Sequence, residues 1–190
     1  PKMTDMVGGG PFDLKAGQWT DDTSMALCLA TGLLNQQGFD ARDQMERYCQ
    51  WRDMGYLSST GKCFDIGGTT NAALDRYRRT GEAFAGLTDP SAAGNGSIMR
   101  LAPVPLFFFS DQGAVERFSA ESSRTTHAAE ECVDACRLLG VMTATALAGT
   151  TKDAVLSAGK DLQFVPKIAS IATGAYRAKR EDDIRGSGYV

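Results

Sequence analysis

The sequence predicts an all-α protein, an orthogonal multi-helix bundle in a single domain with little or no β-sheet. Apolar residues recur at the three- and four-residue spacing of amphipathic helices through most of the chain. No stretch shows the sustained alternation of β-branched residues that is typical of a strand. At 190 residues with 43% hydrophobic content, the chain is long enough for one domain with a substantial core.

Apolar periodicity and capping residues predict the individual helices. They are expected over residues 22–37, 40–52, 69–79, 113–123, 127–147, 152–158 and 166–180. Asp40 is the predicted cap of the second helix, and Pro166 suits the first turn of the last one. The longest helix, beginning at His127, places Cys132, Ala135, Cys136 and Leu139 on one face. The apolar run Leu106–Phe109 is too short to span a bilayer and is predicted to be buried.

Composition excludes several classes of function. With 20 Lys and Arg against 23 Asp and Glu, the net charge is −3, and basic residues form no block longer than two. General nucleic-acid binding is therefore not expected, because a phosphate backbone is held by a concentrated positive surface. The absence of any apolar run of 18 residues argues against membrane insertion. Five cysteines, odd in number and without CxxC spacing, indicate a reducing cytoplasm.

An acidic cluster stands immediately before the first predicted helix, in the segment Trp19-Thr20-Asp21-Asp22-Thr23. Its carboxylates and hydroxyls are hard oxygen ligands, the type that magnesium, manganese or calcium prefers. The same residues also suit a helix cap, with Thr20 or Asp21 accepting from free N–H groups and the helix dipole favouring the negative charge. Taken alone, the cluster is compatible with both interpretations.

Two glycine-rich segments, Asp65–Asn71 and Gly94–Arg100, precede further helical stretches. Such segments let backbone N–H groups approach a phosphate closely, and a helix N-terminus adds favourable potential. Neither matches the P-loop or the dinucleotide-binding fingerprint. Each taken singly is also compatible with a tight turn.

Together these segments resemble the ADP-ribosylglycohydrolase family, including the dinitrogenase-reductase-activating type. The resemblance rests on five ordered blocks: GQWTDDTSMAL at 17–27, DIGGTT at 65–70, GNGSIMRLAP at 94–103, TH at 126–127 and GSGYV at 186–190. It implies hydrolysis, with magnesium, of the glycosidic bond between ADP-ribose and a protein side chain, arginine above all, or a related ADP-ribosylated product. The partner would be the ADP-ribosylated protein or ADP-ribose itself.

The resemblance also assigns roles to acidic residues. Thr20, Asp21 and Asp22 would bind magnesium, with two ions in the complete site and manganese as a possible substitute. Asp22 and Asp65 would act in catalysis, by assisting proton transfer and stabilising an oxocarbenium-like transition state. For Asp65, an aspartate that caps a turn through its own backbone is an equally open interpretation.

The ligand-binding residues implied by the resemblance are Gly94, Asn95, Gly96, Ser97 and His127. The loop from Gly94 to Ser97 would hold the diphosphate and distal ribose through its N–H groups and the Ser97 hydroxyl. Without the resemblance, His127, the only histidine in the chain, would be interpreted as a surface or capping residue. Cys132 and Cys136 are predicted to be buried as small apolar residues, a metal role with His127 being the alternative.

The chain also departs from the family pattern. The family's opening helix with an acidic residue and its closing D-x-D-T block are both missing from residues 1–190, which are therefore expected to be a partial domain truncated at both ends. The rival hypothesis is a relative that binds ADP-ribose without cleaving it, or keeps the fold for structural use. Neither the modified target nor the oligomeric state is indicated by the sequence.

Overall fold

The computed structural model describes residues 5–184, and this part of the chain is helical without a β-strand. Its α-helices are α1 (Asp21–Gln36), α2 (Ala41–Met54), α3 (Gly68–Thr80), α4 (Pro103–Phe107), α5 (Gln112–Arg124), α6 (Glu130–Leu147), α7 (Lys152–Leu156), α8 (Pro166–Ala172) and α9 (Glu181–Ile184). Short 3-10 turns lie at Pro90–Ala92 and Ala175–Ala178. Extended pairing is limited to isolated bridges such as Leu87 with His127. The all-α prediction is confirmed.

Helix α1 lies between two parts of the core, because both of its flanks are apolar. Met25 and Cys28 contribute to a cluster with α2 and α3, whose largest member is the buried Trp51. Leu29 and Leu33, one turn further along, belong to a second cluster with α4 and α6. Burial on two sides fixes the axis of α1, and with it the position of the acidic residues at its N-terminus.

The second half of the described chain is organised around α6. This helix packs along α5, and its Ala135 and Leu138 form a third cluster with α8. The segment 94–101 passes close to α6, where the Sγ atom of Cys132 donates to the Gly94 carbonyl at 3.4 Å. Cys132 and Cys136 are fully buried, as predicted. No helix within residues 5–184 combines the length and the apolar character needed to cross a bilayer.

Three local predictions are wrong. The run Leu106–Phe109 is not buried: Leu106 is 58% exposed, and only Phe108 packs against the core, stacking on Phe118. The helix expected over 166–180 ends at Ala172, because Gly174 adopts φ +82° and the chain continues as a 3-10 turn. Helix α6 begins at Glu130 rather than at His127, because the backbone at 127–128 pairs with Leu87 instead.

Asp40 caps α2 as predicted, since its carboxylate accepts from the backbone N–H groups of Arg42 and Asp43 at 2.8 and 2.9 Å. We expect Asp40→Ala to lower the free energy of unfolding by about 1 kcal/mol, because two N–H groups lose their acceptor. Urea denaturation measures this change. Asp161→Ala, at an exposed turn, is the control, and equal stability of the two variants would contradict the assignment.

Candidate active site

The acidic cluster does not cap α1. Thr20 occupies the N-cap position, but its side chain makes no capping bond; its hydroxyl instead donates to Asp22 Oδ2 at 2.9 Å. Asp21 is 8% exposed, whereas Asp22 is open to solvent. The capping interpretation therefore fails for Thr20, and the carboxylates are held together at one end of the helix.

Asp65 belongs to the same charge cluster. Burial, together with the like charges of Asp22 and Asp65, raises the pKa of Asp21 to about 7. Asp65 adopts φ +61°, a left-handed conformation that costs a non-glycine residue energy and often marks a functional position. Its carboxylate accepts no hydrogen bond from any residue between 5 and 184, so it does not cap its own turn. The three aspartates thus form an electrostatically unfavourable group.

Backbone N–H groups face the aspartates from a second helix end. Helix α3 begins after Gly67 without any side-chain cap, so the N–H groups of its first turn lack a helical partner. Gly67, Gly68, Thr69 and Thr70 line the same cleft as Asp21 and Asp65. A helix start with free N–H groups favours an anion.

His127 completes the cleft and is placed differently from a surface or capping residue. It precedes α6, is only 2% exposed, and lines the cleft together with Gly94, Asn95 and Gly96. Burial, followed by the positive charge of Arg100, lowers the pKa of His127 to about 3, so the imidazole is neutral at physiological pH.

Ser97 lies beneath the loop rather than in the cleft. It is 1% exposed, and its hydroxyl oxygen accepts from Ser123 Oγ at 2.9 Å and from Cys136 Sγ at 3.5 Å. The structure therefore gives the Ser97 hydroxyl a supporting position, in place of the ligand contact expected from the sequence. Met99 packs against the first cluster and also lines the cleft.

The cleft has a volume of about 490 Å³ and is lined by two chemically different sets of groups. One set is the carboxylates of Asp21, Asp22 and Asp65; the other is the N-terminus of α3, the loop Gly94–Gly96 and the His127 imidazole. Within the described range, no three His, Cys, Asp or Glu side chains converge closely enough to hold a metal ion by themselves. The arrangement suits a ligand that is anionic at one end and binds hard cations or develops positive charge at the other.

A larger cleft of about 800 Å³ lies beside α6, lined by residues such as Glu131, Asp134 and Arg137. Three carboxylates line it, those of Glu130, Glu131 and Asp134, but two of them are paired with cations: Asp134 with Arg137 at 2.7 Å and Glu131 with Lys167 at 3.1 Å. Its negative charge is thus largely balanced, unlike that of the three aspartates in the smaller cleft. We therefore place the chemistry in the smaller cleft.

Gly96 packs directly on the imidazole of His127. A Cβ atom at this position would lie 2.7 Å from His127 Cε1, whereas one at Gly94 would lie 3.6 Å from Nε2, an ordinary contact. Because the ring is buried and cannot move aside, Gly96→Ala is expected to destabilise the fold by about 1–3 kcal/mol. Thermal and urea unfolding measure the change against Gly94→Ala, which should cost less. Equal losses in the two variants would contradict this packing.

Comparison with known proteins identifies the family of this chain. Residues 1–190 match the family described as ADP-ribosylglycohydrolase. The chain belongs to the ADP-ribosylglycohydrolase family. It is 46% identical, over 99% of its length and 50% of the relative's, to the ADP-ribosylarginine hydrolase Tri1 of Pseudomonas putida.

Other relatives agree with this family assignment. The ADP-ribosyl-[dinitrogen reductase] glycohydrolase of Rhodospirillum rubrum is 34% identical over 72% of this chain and 44% of that protein. A solved structure of an ADP-ribosylglycohydrolase-related protein complex matches with a TM-score of 0.79 and 38% identity, over 100% of this chain and 61% of that one. The chain thus spans about half the length of the curated ADP-ribosylglycohydrolases it matches.

The sequence gives no indication of roles for Arg100, Ser123 and Thr126, which lie next to residues that line the cleft and bond to them or to their supporting groups. Arg100 and Thr126 stand inside two of the blocks that carry the family resemblance, but polar residues in a loop give no signal of burial. Both are 0% exposed. The block GSGYV at 186–190 lies outside the described residues.

Proposed function

We propose that the protein carrying this chain hydrolyses, with magnesium, the glycosidic bond that links ADP-ribose to an arginine side chain or to a related ADP-ribosylated group. The observation that carries this proposal is the juxtaposition, in one cleft, of three carboxylates with an uncapped helix start and a glycine loop. Two relatives are named for their action on ADP-ribosylarginine and on ADP-ribosyl-[dinitrogen reductase]. These names support the choice of the glycosidic bond to arginine.

The N–H side of the cleft would bind the diphosphate and its ribose. The free N–H groups at the start of α3 attract a doubly charged diphosphate, and the loop Gly94–Gly96 lets backbone approach it without side chains in the way. His127, neutral and buried, adds a hydrogen bond without adding a charge. This binding would orient the ligand so that its second ribose lies among the aspartates.

The aspartates would then act on the anomeric carbon of that ribose. As the carbon–nitrogen bond breaks, the sugar acquires oxocarbenium character, which nearby carboxylates stabilise. Water would form the new carbon–oxygen bond and give up a proton to Asp65 or Asp22, and that carboxylic acid would pass the proton to the departing guanidine nitrogen. Both residues are exposed to the cleft, so either can reach a bound sugar.

The donor set fits magnesium as part of a coordination shell. Thr20, Asp21 and Asp22 present hard oxygen ligands. Burial, followed by repulsion from Asp22 and Asp65, raises the pKa of Asp21, and a bound divalent cation would relieve that repulsion. Residues 5–184 supply fewer ligands than a closed site needs, so water or further groups would complete the shell. When bound, magnesium or manganese would anchor ribose hydroxyls and a water molecule.

We also infer a cytoplasmic location. All five cysteines are free, and four of them are buried, which is the pattern of a reducing compartment.

Calorimetry and a turnover assay test the proposed function. We would measure Mg²⁺ and ADP-ribose binding on this chain, and release of ADP-ribose from an ADP-ribosylated arginine peptide on the full-length gene product. Asp22→Asn is expected to weaken Mg²⁺ binding at least tenfold and turnover about 100-fold or more, since it removes a charged ligand. The exposed Asp161→Asn is the matched control.

The outcomes separate two functions. Absence of both Mg²⁺ and ADP-ribose binding would overturn the assignment to this cleft. Binding of ADP-ribose without any turnover would favour the rival hypothesis of a non-catalytic ADP-ribose-binding relative.

A further inference from the structure

Arg100 is a fully buried cation that points its guanidinium toward the segment before α6. It is 0% exposed and lies over the ring of Tyr48, with 4.6 Å between its Cζ atom and the ring centroid. One terminal nitrogen donates to Thr126 Oγ1 at 2.7 Å, to Thr125 Oγ1 at 3.3 Å and to the Ser122 carbonyl at 3.2 Å. No carboxylate in the described part of the chain pairs with it. Its charge is therefore directed at hydroxyl and carbonyl oxygens.

The Thr126 hydroxyl links Arg100 to the imidazole. Thr126 Oγ1 lies 2.9 Å from His127 Nδ1, and it already accepts from Arg100. If Nδ1 carried the ring proton, Oγ1 would accept twice and its own hydrogen would have no acceptor in a fully buried place. An unpaired buried hydroxyl costs about 1–3 kcal/mol. With Nδ1 unprotonated, Thr126 donates to it, and both the hydroxyl hydrogen and Nδ1 are paired.

We propose that Arg100 and Thr126 are positioning residues that fix His127 in its neutral Nε2–H tautomer, so that Nε2 is a hydrogen-bond donor to an oxygen of the bound ligand. The identity of the ligand as ADP-ribose rests on the proposed function, but the tautomer does not. The ligand oxygen is a diphosphate oxygen or a ribose hydroxyl, both of which accept from N–H.

The surroundings of Nε2 agree with this assignment. A Cβ atom added at Gly96 or Gly94 would lie 3.0 or 3.6 Å from Nε2, so the atom faces the glycine loop of the cleft. Nε2 makes no hydrogen bond with the described residues, yet it is not among the fully buried unpaired atoms, which include Arg100 Nε. Burial and the nearby Arg100 charge also disfavour the doubly protonated ring. A neutral donor is thus left available at the cleft surface.

Nitrogen NMR of the ligand-free chain tests the tautomer directly. His127 is the only histidine, so ¹⁵N-histidine labelling gives the spectrum of one imidazole. We expect a protonated, pyrrole-type Nε2 and an unprotonated, pyridine-type Nδ1 at pH 6 to 8. A wild-type ring protonated at Nδ1, or at both nitrogens, would overturn the proposal without bearing on ADP-ribose hydrolysis.

Substitutions at Thr126 separate positioning from structural support. Thr126→Val keeps the shape but removes the hydroxyl, so the tautomer should shift toward a mixture and ADP-ribose affinity should fall by up to about tenfold, the loss of one hydrogen bond. Thr126→Ser should restore both. An unchanged tautomer and affinity in Thr126→Val would overturn the proposal, since a purely structural residue lowers stability alone. If the wild-type chain shows the expected tautomer but does not bind ADP-ribose, the proposed function is refuted and the positioning of His127 is not.

Discussion

Asp21→Asn is expected to stabilise the magnesium-free protein by about 4 kcal/mol at pH 8. The carboxyl group of Asp21 is 8% exposed, and burial together with Asp22 and Asp65 raises its pKa from 3.8 to about 7. At pH 8 the folded protein must hold this group charged in an unfavourable place, and a neutral amide of the same shape removes that cost. The figure follows from about 1.4 kcal/mol of stability per pKa unit.

The sign of the pH dependence follows from the direction of the shift. Because the folded-state pKa of Asp21 lies above the unfolded value, its contribution is favourable below about pH 3.8 and is lost as the pH rises through about 7. The advantage of Asp21→Asn should therefore be largest at pH 8 and fall to roughly half or less at pH 5. Urea denaturation in EDTA at both values measures it, with Asp161→Asn as the control.

Magnesium should reverse this ranking. An ion bound by Asp21 and Asp22 stabilises the wild-type protein in proportion to its occupancy, whereas Asp21→Asn removes one ligand charge. Added Mg²⁺ is thus expected to raise the melting temperature of the wild type and to leave the variant nearly unchanged. A variant that is less stable than wild type at pH 8 in EDTA would show that Asp21 is a structural residue.

The sequence predicted those elements whose signals are local. The predicted bounds of helices α1 and α2 agree with the structure within about two residues, because the apolar spacing indicates the buried face of each helix and the Asp40 cap acts on neighbouring backbone. Asp21, Asp22 and Asp65 were chosen as functional from their chemistry and from the family resemblance, and the fold brings them to one cleft. The positions of these aspartates along the chain do not by themselves indicate that the side chains lie close together in the fold.

Features that depend on distant contacts could not be predicted. The apolar spacing predicts a helix that begins at His127. In the structure, His127 instead forms a β-bridge with Leu87, 40 residues earlier. Leu139, expected on the apolar face of α6, is 39% exposed, while Leu138 is buried against α8. The inward turn of Ser97 depends on Ser123, and no local pattern encodes that partner. Each of these errors reflects packing between elements rather than the propensity of one element.

Arg100→Ala is expected to lower the free energy of unfolding by about 3–5 kcal/mol. The substitution leaves a cavity beneath the cleft, and it removes the donor from Thr125 and Thr126, both of which are fully buried. The Ser122 carbonyl keeps a donor from Gln44 Nε2, so the loss is concentrated at the two threonines. Urea denaturation at pH 7.5 measures the change.

Two further variants show what the guanidinium contributes. Arg79→Ala, at an exposed position of α3, should change stability by less than about 0.5 kcal/mol. Arg100→Lys retains a charge but loses the planar group that stacks on Tyr48 and donates to several oxygens at once, so it should recover only part of the loss. Full recovery with lysine would mean that charge alone is required. A free energy of unfolding for Arg100→Ala within about 1 kcal/mol of the wild-type value would mean that the hydroxyls of Thr125 and Thr126 find other partners. The stability of the segment before α6 would then not depend on Arg100.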